Sequence, residues 1–309
     1  MSVNFSYSKM DTYDKCGFKY KLIYEDGHYT YTDSIATEFG TLIHATEEAI
    51  AKAIKAKQPI DYTQLKNNII LKMASLAAKY PEPFITKDKS DRTYTEKMYY
   101  YLEHGIYRLE QFMQAHPSYQ IVGIEQKFEF EYSSNYHFKG FIDRVFYDTA
   151  TNKYIIQDIK TYAVPVEHKD LTTPLQFVFY VLAAKNLYNC DESQLSCQYD
   201  LPLCDLTQDA GTTGYMTRGV KKIQKLLENI EHKEFSPSPS ALCHWCPFCP
   251  TNNDAKEDSK YLCPYFMKRT REHKTFEKEF EWQGVEMHKK IMEEYNNEVN
   301  FVKHQQQKL

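Results

Sequence analysis

Several features are scarce in this chain, and each scarcity excludes something. No apolar run reaches the roughly 18 residues a membrane helix needs. The opening MSVNFSYSKMDTYDKC carries no apolar leader, so the chain is expected in the cytoplasm, away from oxidising compartments. Positive charge is not in excess: 38 Lys and Arg stand against 42 Asp and Glu, a net of −4, which argues against a general nucleic-acid coat but not against a local basic groove. Glycine is sparse at 10 of 309 residues, and no internal repeat, low-complexity block or helicase motif interrupts the chain. Hydrophobic residues make up 42% of the sequence, with 26 Tyr and 18 Phe among them, so a sizeable core is available and wholesale disorder is excluded.

The pattern of elements changes along the chain. Residues 6–24 read as a short helix, and 36–57, 62–79 and 94–115 have helical composition. Residues 121–132, 137–147 and 153–161 are rich in β-branched and aromatic types and are separated by the turn formers SSNY and DTATNK. Helix returns over 171–189, with Pro174 in its first turn, followed by a strand at 195–204 and a basic amphipathic helix at 216–231. Residues 235–266 are irregular and rich in Pro and Cys, and the charged tail 270–309 reads as an amphipathic helix. Strands bracketed by helices imply an α/β fold with a mixed sheet and a helical insertion.

One strand pair places two carboxylates together. A turn centred between Ala150 and Thr151 sets Asp143 directly opposite Asp158, with Cβ atoms about 4.5–5.5 Å apart. Their neighbours Phe141, Ile142, Val145, Ile155 and Ile156 are apolar, so two like charges would sit where water is scarce. A divalent cation relieves that repulsion, and hard oxygen ligands suit Mg²⁺ or Mn²⁺. Lys160 shares the face of Asp158 and reaches the same point. Acids and a lysine around a metal are what phosphodiester hydrolysis requires. A D-x-K pattern also occurs on ordinary solvated strands, so the remaining elements carry weight. His44 and Glu48 lie one turn apart on a helix, and Gln176 and Tyr180 repeat that spacing after the Lys160 strand.

Taken in order, these elements resemble the RecB-like branch of the PD-(D/E)xK nuclease superfamily. They are G-x-x-x-H-x-x-x-E at Gly40, His44 and Glu48, G-x-x-D-R at Gly140, Asp143 and Arg144, D-x-K-T at Asp158, Lys160 and Thr161, and Q-x-x-x-Y at Gln176 and Tyr180. The opening from Ser6 to Cys16 matches the branch's N-terminal entry, and the resemblance covers about residues 6–266. It implies a restriction-endonuclease-like mixed sheet flanked by helices. It implies that His44, Asp143, Asp158 and the Ile159 carbonyl hold the metal and that Lys160 is the catalytic lysine. Gln176 and Tyr180 would position substrate or the lysine, and Glu125 would border the site. The expected organisation is an N-terminal entry (1–35), a helical segment carrying His44 (36–120), the nuclease core (121–232), a Cys-rich segment (233–268) and a charged helical tail (269–309).

Eight cysteines in a reducing compartment point away from disulfides and toward metal ligation. Several members of this branch, including CRISPR-associated and helicase–nuclease-associated ones, carry an iron–sulfur staple with one Cys before the core and three after it. The resemblance assigns Cys16, Cys243 and Cys246 to a [4Fe–4S] cluster. The fourth ligand is Cys263, in Leu-Cys-Pro-Tyr-Phe, or alternatively Cys249. A Cys₄ zinc knuckle of Cys243, Cys246, Cys249 and Cys263 remains open. Gly17 departs from the Pro that commonly follows the first Cys in the branch. Joining Cys16 to Cys243 would close a loop of more than two hundred residues, worth roughly 5 kcal/mol in chain entropy. Cys190, Cys197 and Cys204 read as ordinary buried thiols.

The activity implied is metal-dependent DNA hydrolysis by an exonuclease acting at ends or on single strands, in repair, recombination or phage DNA processing. The competing readings are a non-catalytic DNA-binding scaffold of the same fold and an iron–sulfur electron carrier. The split Cys set disfavours the carrier. Lys87, Lys89 and Arg92, followed by Tyr94 and Tyr99 to Tyr101, offer the basic and aromatic chemistry used on single strands, as do Arg218, Lys221, Lys222 and Lys225 for phosphates. Unwinding, where needed, would come from a helicase or recombination partner.

Overall fold

The computed structural model describes residues 3–30, 34–166, 175–210 and 215–250, single positions from 252 to 265 (252, 255, 256, 258–260, 262, 263, 265), and the backbone of 266–269 and 276–279. The chain sorts into two compact units, one of Met1–Tyr7 with Asp33–Ile223, the other of Ser8–Thr32 with Gln224–Leu309.

The first unit opens on β1 (Val3–Phe5) and then runs through helices α1 (Ile35–Lys55), α2 (Tyr62–Lys79), α3 (Pro81–Ile85), α4 (Tyr94–Glu103) and α5 (Arg108–Ala115). Local chemistry sets these starts. Ser34 accepts the Thr37 N–H at 3.2 Å, Asp61 accepts the Gln64 N–H at 2.9 Å, and Thr93 and Glu96 form a reciprocal capping box. The apolar stripe of α1, Phe39, Ile43 and Ile50, packs with Ile69, Met73 and Leu76 of α2 in one buried cluster. The single helix expected over 94–115 is broken at Gly105, in a 3₁₀ turn over Gly105–Tyr107. A Cβ on Gly105 would lie 2.4 Å from the Pro202 carbonyl oxygen, a tertiary approach that local composition does not report.

The sheet follows: β2 (Tyr119–Ser133), β3 (Tyr136–Asp148), β4 (Lys153–Ile159), β5 (Leu195–Leu201) and β6 (Leu206–Asp209), with α6 (Leu175–Tyr188) between β4 and β5 and α7 (Met216–Glu231) after β6. β3 is the hub, antiparallel to β2 along one edge. Its other edge pairs with β1 in parallel through Tyr136 to Phe138, and with β4 antiparallel through Arg144 to Asp148. β4 then pairs with β5 in parallel, and β5 with β6 antiparallel, so the sheet is mixed as expected. The β3–β4 register has the anticipated turn centre, with Val145 facing Ile156 and Arg144 facing Gln157. The regular ladder ends there, one residue short of Asp143 and Asp158, while β4 stays with β5 through Asp158 and Ile159.

Helix α6 is mostly apolar through its first ten residues and largely buried there, with Phe177, Val178, Phe179 and Val181 fully enclosed, while Lys185 to Leu187 of its last turn are exposed. Gly219 lets α7 approach it, because a Cβ there would lie 2.3 Å from Val178 Cγ2.

In the second unit, the helix expected over 6–24 is broken at Cys16: Tyr7–Lys15 and Gly17–Tyr20 are α-helical and Lys21–Glu25 is a π turn. The tail reading needs correction where the backbone is described. Phe266–Arg269 and Phe276–Glu279 form an antiparallel two-stranded sheet, not helix. Positions 280–309, with Phe280, Ile291, Tyr295 and Val299, lie outside the described residues, as does Pro174.

Gly219→Ala is expected to lose about 1–3 kcal/mol by overpacking against Val178, measured by urea unfolding. The loss should shrink in a Val178→Ala background. An equal loss in both backgrounds would contradict the close approach.

Candidate active site

Where the β3–β4 ladder ends, three strands present acids side by side. Asp143 on β3 and Asp158 on β4 occupy the next step of the register, and the Ile159 N–H donates to Asp143 Oδ2 at 2.8 Å. On the other edge, the β2–β3 ladder skips a pair between Ile124–Arg144 and Gln126–Ile142, and Glu125 falls in that gap. Glu125 holds φ at +41°, a left-handed conformation unusual for a non-glycine residue in a strand. His44 completes the group from α1, its Nδ1 3.7 Å from Asp143 Oδ2. Ligand atoms of His44, Glu125 and Asp143 all lie within 4.8 Å of one another. The cleft they share is also lined by Gly40, Thr41 and Glu48, while Glu48 itself pairs with Lys52 at 2.5 Å.

Asp158 stands outside that trio and heads a second chain of contacts. Its Oδ2 lies 2.7 Å from Lys160 Nζ and has no other polar partner among the described residues. Lys160 donates to Gln176 Oε1 (2.9 Å), and the Gln176 amide donates to Asp158 Oδ1 (2.7 Å) and to the Tyr180 hydroxyl (2.8 Å). Tyr180 in turn donates to Asp158 Oδ1 at 3.3 Å. The i, i+4 spacing of Gln176 and Tyr180 on α6 thus aims both at β4. Thr161 sits beside Gly40, where a Cβ would meet its hydroxyl at 3.5 Å. Gly140 lies under the Phe128 ring, 2.8 Å from a Cβ placed there.

Burial shifts the protonation of the whole group. Asp143 is pushed up to about 6 by loss of hydration, only partly opposed by the Ile159 N–H and Lys160. Asp158 is pushed up to about 6 by the same cause, with Lys160 opposing it and Asp143 adding to it. Burial raises Glu125 as well, helped by Glu48. Burial depresses His44 despite the pull of Asp158, which favours the neutral imidazole that ligates metals. For Lys160, burial opposes the charge but Asp158 outweighs it, so its ammonium is held.

Behind the acids lies a buried ionic network that sequence reading did not anticipate. Arg144 donates to Glu47 Oε2 (3.0 Å) and Gln157 Oε1 (2.6 Å), and pairs with Asp200 at 3.5 Å. Arg108 donates to the same Asp200 (2.9 Å) and pairs with Asp205, while Tyr101 donates to Glu47 Oε1 at 2.7 Å. The only signals in sequence were Arg144 in the G-x-x-D-R element and an acid, Glu47, three residues after His44.

The five candidate cysteines all belong to the second unit and line one cavity there: Cys16, Cys243, Cys246, Cys249 and Cys263. Cys16 caps the Gly17–Tyr20 turn and its sulfur accepts the Lys19 N–H at 3.5 Å, while Cys243 accepts the Ser240 N–H at 3.4 Å. Burial pushes the Cys246 thiol up to about 11, with Cys249 and Cys243 adding to it. Burial and the neighbouring Cys246, Cys16 and Cys243 raise Cys263. Cys249 and Cys263 both face this cavity, so geometry does not choose between them. Cys197 is buried, whereas Cys190 and Cys204 are half-buried.

Of the basic and aromatic residues suggested for DNA contact, several serve the fold. Tyr101 is core, and Arg92 donates to the Leu203 carbonyl (2.9 Å) beneath Tyr100. Lys89, Arg218, Lys221, Lys222 and Lys225 are exposed.

A mixed sheet flanked by helices, with acids of three adjacent strands gathered at one end of a ladder, is a restriction-endonuclease-like arrangement. The family model of the PD-(D/E)XK nuclease superfamily matches residues 4–251, and the chain belongs to that superfamily. Comparison with curated proteins finds no match.

The raised carboxylates set a pH dependence with a definite sign. A folded value of about 6 for Asp143 lies above the ordinary carboxylate range. The metal-free protein therefore keeps this contribution at low pH and loses it as pH rises through 6. Asp143→Asn in EDTA should raise thermal stability at pH 8, by on the order of 2–3 kcal/mol, and change it little at pH 4. Calorimetry checks this; a variant less stable than wild type at pH 8 would contradict it.

Proposed function

We propose that this nuclease is a metal-dependent deoxyribonuclease that hydrolyses phosphodiester bonds as an exonuclease, at DNA ends or in single strands. The observation that carries the reading is the row of acids, half-buried Glu125 and Asp143 and buried Asp158, with Lys160 among them. Such a row is electrostatically unfavourable without a cation, and the shifted carboxylates express that deficit. The donor set of carboxylate oxygens and one imidazole fits Mg²⁺ or Mn²⁺. Asp143, His44, Asp158 and the Ile159 carbonyl are the ligands proposed, and the trio geometry adds Glu125 to them. Bound there, the metal supplies Lewis acidity that lowers the cost of charge on the scissile phosphate and activates water.

The chain's own groups do the rest. Lys160, its ammonium held by Asp158 and Gln176, stabilises negative charge developing on the phosphate. Gln176 and Tyr180 fix both Asp158 and Lys160, so that neither must reorganise during the reaction. Asp143 is held in place by the Ile159 N–H. Repair, recombination or phage DNA processing, with a helicase or recombination partner, is the setting we propose.

For the second unit we propose a structural group held by Cys16, Cys243, Cys246 and Cys263, with Cys249 as the alternative, a [4Fe–4S] cluster in preference to zinc. Support comes from the five sulfurs on one cavity, drawn from both ends of the chain, and from N–H groups aimed at Cys16 and Cys243. Its role would be to tie distant chain segments, separate from the chemistry.

End-labelled single- and double-stranded linear DNA, with Mg²⁺ or Mn²⁺ and an EDTA control, tests the enzyme. Metal-dependent degradation is expected, reduced at least a hundredfold in Lys160→Ala and Asp143→Ala with the fold retained. Appreciable activity in either variant would sink the assignment. Cys246→Ala should lower the melting temperature and remove the visible colour of anaerobically purified protein. A colourless wild type with stoichiometric zinc would overturn the cluster.

A further inference from the structure

A second cleft in the first unit begins where the acid site ends. It is lined by Phe39, Tyr94, Tyr162, Val164 and Pro165, with Lys89 among the polar residues. Ala36 lines both this cleft and the acid cleft, and Thr161, beside Gly40, joins the two. Tyr162 follows Lys160 by two residues and is half exposed, at 51%, and its neighbour Val164 is 39% exposed.

Both walls are built rather than loose. The 161–166 segment is fastened at its start by the Lys160 N–H donating to the Asp200 carbonyl at 2.8 Å. At its end the Gln208 side chain makes two bonds to Val166, accepting its N–H and donating to its carbonyl, each at 2.9 Å. Across the cleft, Asp88 is committed to the buried Lys97 (2.5 Å) and to Ser90. Arg92 is tied to Leu203, and Tyr94 packs edge-on to Phe39 at 5.3 Å. With the Asp88 charge answered by Lys97, Lys89 leaves this wall positive.

A phosphate backbone asks only for cations and donors; an aromatic and apolar cleft beside phosphate-cleaving groups asks for something flat and apolar. In a duplex the base faces are stacked away, whereas in a single strand they are available. We propose that this cleft is a subsite for an unpaired nucleic-acid base, stacked on Tyr162, with Lys89 on an adjacent phosphate. The proposal rests on the nuclease reading above for its ligand class, and gives the enzyme a built-in preference for single-stranded DNA next to the cut. Because both walls are fastened, little ordering is required on binding.

The test uses the full chain in a Lys160→Ala background with Mg²⁺, so that binding is read without cleavage. The probe is a short oligodeoxythymidylate carrying one 2-aminopurine, as a single strand and as a duplex. Binding of the single strand with quenched 2-aminopurine fluorescence is expected. Tyr162→Ala should weaken it about tenfold and remove most of the quench, Tyr162→Phe should restore both, and duplex affinity should not change. Lys89→Ala should weaken binding and reduce the salt slope by about 0.7. The proposal is overturned by no single-strand binding, by a Tyr162→Ala protein with unchanged affinity and quench, or by a Phe variant that behaves like Ala. Cleavage by the protein with Lys160 intact is followed in parallel. Tyr162-dependent quenching without any cleavage would contradict the nuclease reading and leave the subsite standing; cleavage with no dependence on Tyr162 would do the reverse.

Discussion

The guanidinium of Arg144 is the contact on which the geometry of the candidate site depends. It is buried, and it reaches α1 through Glu47, β4 through Gln157 and β5 through Asp200. Three elements distant in sequence are therefore located by one planar cation. A buried ion pair contributes little net stability, because desolvation offsets attraction, but a planar donor with fixed directions specifies orientation well. Glu47 sets the rotation of α1, and His44 sits three residues earlier on the same helix. Arg144 follows Asp143 directly. The pair that fixes α1 against β3 thus brings His44 to within 3.7 Å of Asp143. Arg108 gives Asp200 a second cation and keeps the buried charge near balance.

That balance is not extended to the acids in front. Asp143, Asp158 and Glu125 share one full cation, Lys160, and all three carboxylates are raised by burial. The contrast is informative. The same strand pair carries a satisfied network on one residue and an uncompensated set of acids on the next, a pattern of perturbed carboxylates that marks a candidate functional site. The gap in the ladder at Glu125, with its positive φ, adds local backbone strain to the same candidate site.

Much of the frame was legible in sequence, for reasons that can be stated residue by residue. Helix 62–79 could be read from its composition and 216–231 from its basic amphipathic pattern, and they run Tyr62–Lys79 and Met216–Glu231. The β3–β4 register could be read because a short polar turn between two β-rich runs leaves few pairings. What could not be read depends on contacts far apart in the chain. The break at Gly105 answers a carbonyl nearly a hundred residues away, and β1 is three residues long, too short for any periodic signal. Glu125 looked peripheral, because only the skipped pair of the β2–β3 ladder puts it beside Asp143. Of the Glu47–Arg144–Asp200–Arg108 network, only Arg144 and Glu47 fall near recognisable elements; Asp200 and Arg108 leave no local pattern. Tyr101, one of several tyrosines with apparent surface character, is core because Glu47 takes its hydroxyl.

The unbalanced acids are proposed to form a cation site. Titration of the metal-free protein with Mn²⁺, followed by the loss of its free electron-spin resonance signal, tests this directly, with no nucleic acid present. Stoichiometric binding is expected at pH 8, weakening as pH falls through 6 and the carboxylates take protons, and lost in Asp143→Asn. Binding by Asp143→Asn equal to that of the unsubstituted protein would contradict it.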